Sequence, residues 1–266
     1  MRWRGYRQSG NVVSRGGMIA GGGVGAIVLA VVAMLFGVDP GAILQQAPSG
    51  QSADAPAAND SMTQMTRAIL ASTEDAWSEV FRQSNEDYPE PQLVTFSGYV
   101  QSACGTGQSA MGPFYCPRDQ AVYVDLSFFD ELSNRFGAAG DFAQAYVIAH
   151  EIGHHVQHVI GIDEQVRAAQ QQNPDDANEW SVRLELQADC FAGVWGHSAA
   201  QRNHLDPEDT NEGLTAAAAI GDDRIQRMSG GTVSPEGFTH GSSAQRVEWF
   251  RRGLDSGQIE SCNTYE

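Results

Sequence analysis

Residues 147–158 read "VIAHEIGHHVQH", and this stretch decides what kind of chain it belongs to. Four of the seven histidines fall between His150 and His158. A solvated histidine tract would show no apolar rhythm, whereas here Val147, Ile148, Ile152, Val156 and Val159 recur at the spacing of a buried helix. The imidazoles therefore sit on a rigid element.

Within that helix His150, Glu151 and His154 spell HExxH. The i, i+4 spacing puts two imidazoles on one face about a turn apart, where they can hold one metal ion. Glu151 lies beside them, aimed to take a proton from metal-activated water rather than to ligate. His155 lies about 140° round the helix from His150, which suits packing or hydrogen bonding. His158, at about 80°, suits a supporting group rather than a ligand. The long metzincin pattern needs glycine three residues after His154 and histidine six after it; Gln157 and Ile160 stand there, so that form is excluded. Gly153 thins the helix for the close approach of another element.

A catalytic zinc takes three protein ligands and keeps one position open. "RLELQADCFAGVWG" (183–196) supplies Glu185 and, one turn on, Asp189, surrounded by Leu184, Leu186, Ala188, Phe191, Ala192, Val194 and Trp195. Acids in such company must be neutralised or coordinated. Glu185 is the expected third ligand, and Asp189 the expected acceptor for the second ring N–H of a ligand histidine.

Around this centre the periodicity predicts a first helix over 61–84 and strands at 92–100 and 121–126 forming an antiparallel pair. Further helices are expected at 127–136, 141–160 with Asp141 as N-cap, 178–202, 207–228 and 243–253. A helix, a small antiparallel sheet and a run of helices make a predominantly helical α+β domain.

All sixteen basic residues are arginines, and four of them, Arg2, Arg4, Arg7 and Arg15, precede the first acid, Asp39. The rest of the chain carries all 33 acids, a balance that repels nucleic acid. Residues 18–38, "MIAGGGVGAIVLAVVAMLFGV", hold no charge over about the length of a bilayer-spanning helix. Arginines before such a run place the N-terminus inside. The expected organisation is a cytoplasmic segment 1–17, a transmembrane anchor 18–38, a flexible linker 39–60 and an extracytoplasmic domain 61–266 in a single-pass cell-membrane protein. Four cysteines suit an oxidising compartment. Cys104 and Cys116 bracket a Gly-rich loop and make a natural pair, which leaves Cys190 for Cys262, although four cysteines permit three connectivities.

"YVIAHEIGHHVQH", "ELQADCFAGVW", "GPFYCPRDQAVYVDLSF", "AAAAIGDDRIQ" and "THGSSAQR" together resemble the neutral zinc metallopeptidases, bacterial membrane-anchored proteins, from about Met1 to Cys262. More broadly, HExxH with ExxxD is similar to the gluzincins. The resemblance implies a zincin-like domain with one zinc ion on His150, His154 and Glu185, and Asp189 orienting His150. It further implies peptide or protein substrates. Water with its pKa lowered to about 7 would lose a proton to Glu151 and attack a peptide carbonyl. His240 in "THGSSAQR" is the first choice for a donor to the transition state, with Tyr146 and Tyr123 behind it. "QAVYVDL" is the candidate strand edge for a peptide. The competing readings are a catalytically silent, membrane-tethered zinc- or peptide-binding module and a zinc amidase acting on cell-wall peptides.

Overall fold

The computed structural model describes residues 1–15 and 60–265. Helix α1 (Ser61–Gln83) starts at Asp60, whose side chain accepts from the Thr63 N–H at 2.7 Å. Its buried face carries Met65, Ile69, Leu70, Trp77 and Phe81 into the core. Five strands follow in the next forty or so residues: β2 (Gln92–Phe96), β3 (Tyr99–Ser102), β4 (Gly105–Gln108), β5 (Phe114–Cys116) and β6 (Ala121–Asp125). The remaining helices are α2 (Phe128–Asn134), α3 (Asp141–Val159), α4 (Ile162–Gln172), α5 (Ala177–Gln201), α6 (Asp209–Ala219), α7 (Asp222–Met228) and α8 (Ser243–Ser256). The domain is predominantly helical with small sheets, as its periodicity implied.

The main sheet has the order β1-β2-β6-β5, where β1 is Val12–Ser14. Strands 92–96 and 121–125 do pair, but in parallel, with Gln92 opposite Ala121 and Phe96 opposite Asp125. The expected antiparallel pairing is therefore corrected. The segment read as one strand over 92–100 breaks at Gly98 (φ 78°), and residues 99–108 fold into their own hairpin. That hairpin and β5 make up the long crossover that a parallel pair requires. Every residue of β6 is buried, as befits a strand flanked on both sides. It is thus no edge, and the strand left open beside the cleft is β5, which runs antiparallel to β6.

The N-terminal residues overturn the expected membrane topology. Val12–Ser14 pairs in parallel with Leu93–Thr95, Trp3 is buried and its indole N–H donates to Asp141 at 2.8 Å, and the Arg2 N–H donates to the His204 carbonyl. Residues 1–15 thus pack on the same body as the histidine helix, so the two cannot lie on opposite sides of a bilayer. Among the described residues no helix is long and apolar enough to cross a membrane. The single-pass placement with an inside N-terminus and an extracytoplasmic domain is corrected on these grounds. The expected span 18–38 lies outside the described residues, as does the expected linker 39–60 apart from its last residue, Asp60.

Smaller differences have local causes. Asp141 is the first helical residue of α3, and Gly140 (φ 115°) caps it. The free N–H of Phe142 is met by the Glu212 carboxylate of α6. The helix expected over 207–228 is two helices broken at Gly221, where a side chain would collide with Ser243 and the Asp222 N–H turns to the Gly241 carbonyl. Helix α4 was not anticipated, because Val166 is its one fully buried residue. Both expected disulfides are present: Cys104–Cys116 ties the hairpin to the end of β5, and Cys190–Cys262 ties the C-terminal tail to α5.

Candidate metal centre

Helices α3 and α5 cross where Gly153 faces Ala188. A Cβ on Gly153 would stand 2.9 Å from the Ala188 carbonyl oxygen, so only glycine lets the two backbones come this close. That approach brings Glu185 to the histidines. Its Oε2 lies 3.1 Å from His150 Nε2 and its Oε1 lies 3.3 Å from His154 Nε2, and the three ligand atoms are all within 4.8 Å of one another. Tetrahedral zinc with bonds of roughly 2.0–2.1 Å spaces its ligands about 3.3 Å apart, so this donor set suits that ion.

The far side of each imidazole is already engaged. His150 Nδ1 donates to Asp189 Oδ1 at 2.9 Å, and His154 Nδ1 donates to Gln157 Oε1 at 2.8 Å. Both Nε2 atoms are thereby left for a metal. Asp189 is wholly buried and accepts three further bonds: Arg246 Nε to Oδ2 at 2.8 Å, Arg246 Nη2 to Oδ1 at 2.9 Å, and the Tyr146 hydroxyl to Oδ1. The guanidinium grips the carboxylate as a two-pronged fork.

These charges set one another. Burial would lower the pKa of His150, but the Asp189 carboxylate, its hydrogen bond and Glu185 raise it to about 10. His154 is raised against burial by Glu185. Burial would raise the pKa of Glu185, yet the two imidazoles hold it well below the usual carboxylate range. Asp189 is likewise held down, against burial, by Arg246 and His150. In the metal-free state the carboxylates favour the protonated form of the imidazoles and the imidazoles favour ionised carboxylates, so a metal entering the cluster competes with protons.

Glu151 stands beside this cluster, buried and lining the same cavity of about 670 Å³, its carboxylate making no hydrogen bond to any described residue. His240 lines the cavity too, half-exposed, on a loop fastened by Asp222, which accepts from the N–H groups of Thr239, His240 and Gly241. The Asp222 carboxylate also lies 3.2 Å from His240 Nδ1, and this bond raises the pKa of the ring. Tyr146 and Tyr123 are both buried, with hydroxyls committed to Asp189 and to Asp119, so neither serves the cavity. His155 donates to the Pro89 carbonyl and accepts from the Tyr115 hydroxyl, tying β5 to α3, and burial holds its pKa down to about 4. His158 pairs with Asp163.

Sequence reasoning missed Arg246 and Gln157. The signal for the first was present: Arg246 shares the buried stripe of α8 with Phe250 and Gly253, so a charge lay on an apolar face.

A sequence profile of the family described as "Putative neutral zinc metallopeptidase" matches residues 1–265. The chain is 47% identical over 283 residues to uncharacterized protein YpfJ of Escherichia coli strain K12, covering all of this chain and 99% of that one. It is 40% identical over 253 residues to uncharacterized protein Rv2575 of Mycobacterium tuberculosis strain H37Rv, covering 88% and 85% respectively. No solved structure matches it.

Proposed function

The chain belongs to the neutral zinc metallopeptidase family, and from that premise we propose that it is a zinc-dependent peptidase with a zincin-like catalytic domain. His150, His154 and Glu185 hold one zinc ion, and Glu151 is the general base. The observation that carries this reading is the unpartnered Glu151 carboxylate beside three converged ligand groups whose other polar atoms are already engaged. A structural site has no need of such a base.

When bound, zinc polarises a carbonyl oxygen and acidifies water to a pKa of about 7. Glu151 takes a proton from the attacking water and delivers it to the leaving amine. Asp189 and Gln157 keep the imidazoles oriented. An extended peptide pairs with the open edge of β5, where Phe114 and Tyr115 line the cavity. Phe128, Phe136, Ile220 and Ile225 give the cleft an apolar wall for a substrate side chain.

The test is metal analysis of the full chain together with a peptide-library digest. One zinc per chain is expected, lost in His154→Ala and Glu185→Ala. Cleavage should stop on chelation and return with added zinc. A wild-type protein that takes up no zinc would overturn the reading.

His240 is assigned to donate to the transition-state oxygen. Its bond to Asp222 raises its pKa, so the protonated form is present below that raised value and is lost as pH rises through it. His240→Ala should therefore lower kcat about 10²–10³-fold with KM and zinc content unchanged. In a kcat–pH profile the wild type should lose activity on the alkaline side along a limb that the variant lacks. The same limb in both proteins would exclude this role.

A further inference from the structure

His154 Nδ1 donates to Gln157, and the chain of bonds does not stop there. Gln157 Nε2 lies 2.7 Å from the Leu184 carbonyl and 3.0 Å from Gln187 Oε1, while Gln187 Nε2 lies 3.0 Å from the Cys262 carbonyl. Both glutamines are buried, Gln157 at 0% and Gln187 at 4% exposure. We propose that Gln157 and Gln187 are positioning residues, forming a relay of fixed polarity from the C-terminal tail to the ring of His154. The proposal rests on His154 being a metal ligand, as assigned above.

The polarity follows from donors and acceptors alone. A backbone carbonyl can only accept, so Cys262 forces Gln187 to point its NH₂ at the tail and its oxygen at Gln157. The Leu184 carbonyl imposes the same orientation on Gln157 independently. With both amide protons of Gln157 committed, to Leu184 and to Gln187, its oxygen faces His154. The nitrogen that meets this oxygen must carry the proton, which leaves His154 Nε2 bare for the metal. Amide orientation is often ambiguous; here two carbonyls on separate segments fix it. A flipped Gln157 would oppose its oxygen to that of Leu184, leaving buried polar groups unsatisfied.

The relay makes the tail part of the metal site. Residue 262 is held in place by the disulfide to Cys190 on α5, five positions from Glu185. Gln157 meanwhile bonds the backbone of the residue before Glu185, so one side chain orients His154 and steadies the segment bearing the third ligand. Gln157 stands where the metzincin pattern has glycine, three residues after His154, and here the position has a different duty.

Zinc affinity, measured by competition against a chromophoric chelator on the full chain, tests this. Gln157→Leu should weaken zinc binding about 10–100-fold. Gln187→Leu should weaken it by up to about tenfold, with zinc still bound at saturation. Because the two act in series, the double variant should bind zinc no more weakly than Gln157→Leu alone, whereas independent packing defects would multiply. Cys190→Ala/Cys262→Ala should weaken zinc binding in the wild-type background and leave it unchanged in Gln187→Leu. Should Gln187→Leu fail to fold, Gln187→Glu replaces it: the carboxylate still accepts from Gln157 but opposes the Cys262 carbonyl, and the same non-additivity is expected. Multiplicative losses, or wild-type affinity in both Gln187 variants, would overturn the relay while the wild type still binds zinc. Failure of the wild type to bind zinc would instead count against the metal site itself.

Discussion

Replacing Glu151 with glutamine should remove cleavage and leave the zinc in place. The amide keeps the size of the side chain but cannot accept a proton at neutral pH, so kcat on a peptide substrate should fall about 10²–10⁴-fold, the usual contribution of general acid–base catalysis. Zinc content should not change, because Glu151 is outside the converged ligand set. Fold stability should hardly move, since the carboxylate has no hydrogen bond among the described residues to lose. Three measurements on one variant therefore separate the readings: turnover, bound zinc and thermal midpoint. Equal cleavage by both proteins would remove the mechanism, and loss of zinc from the variant would reassign Glu151 as a ligand. Loss of activity toward a cell-wall amide, with no casein cleavage by the wild type, would keep the base and move the substrate.

The histidine helix was legible in the sequence because two periodic signals coincide there: apolar residues at helical spacing and histidines four apart. Glu185 and Asp189 were legible for a different reason, since acids enclosed by apolar neighbours must have partners. Strand direction was not legible. The runs at 92–96 and 121–125 carry the same β-branched content whether they pair parallel or antiparallel, and the choice is made by the crossover between them. The docking of residues 1–15 was hidden because its partners are far away in sequence: Trp3 finds Asp141 and Val12 finds Leu93. An arginine-rich start before an uncharged run carries the local signature of a membrane anchor, and composition cannot report contacts between segments so far apart in the chain. Helix α4 was missed although Ile162, Val166 and Ala169 recur at helical spacing, because that apolar stripe spans only two turns of an otherwise polar segment.

Arg246 is the buried charge on which the largest loss of stability is expected. It is 2% exposed, and its fork onto Asp189 is what allows a carboxylate to stay ionised at 0% exposure. Arg246→Met removes the cation and leaves the buried Asp189 carboxylate with only His150 and the Tyr146 hydroxyl as partners; breaking a buried ion pair in this way typically costs about 3–5 kcal/mol. Domains of this kind have only about 5–15 kcal/mol in hand, so urea unfolding should shift to a much lower midpoint. The second variant is more informative. Arg246→Met/Asp189→Leu removes both charges together, and swaps of this kind are often neutral or better for stability. Much of the midpoint should therefore return, while His150 has lost the acceptor that fixed its tautomer. Zinc affinity in the double variant should stay about 10–100-fold below wild type. Recovery of stability without recovery of zinc would separate what the pair does for the fold from what it does for the ligand, whereas recovery of both would mean that Asp189 has no part in orienting His150.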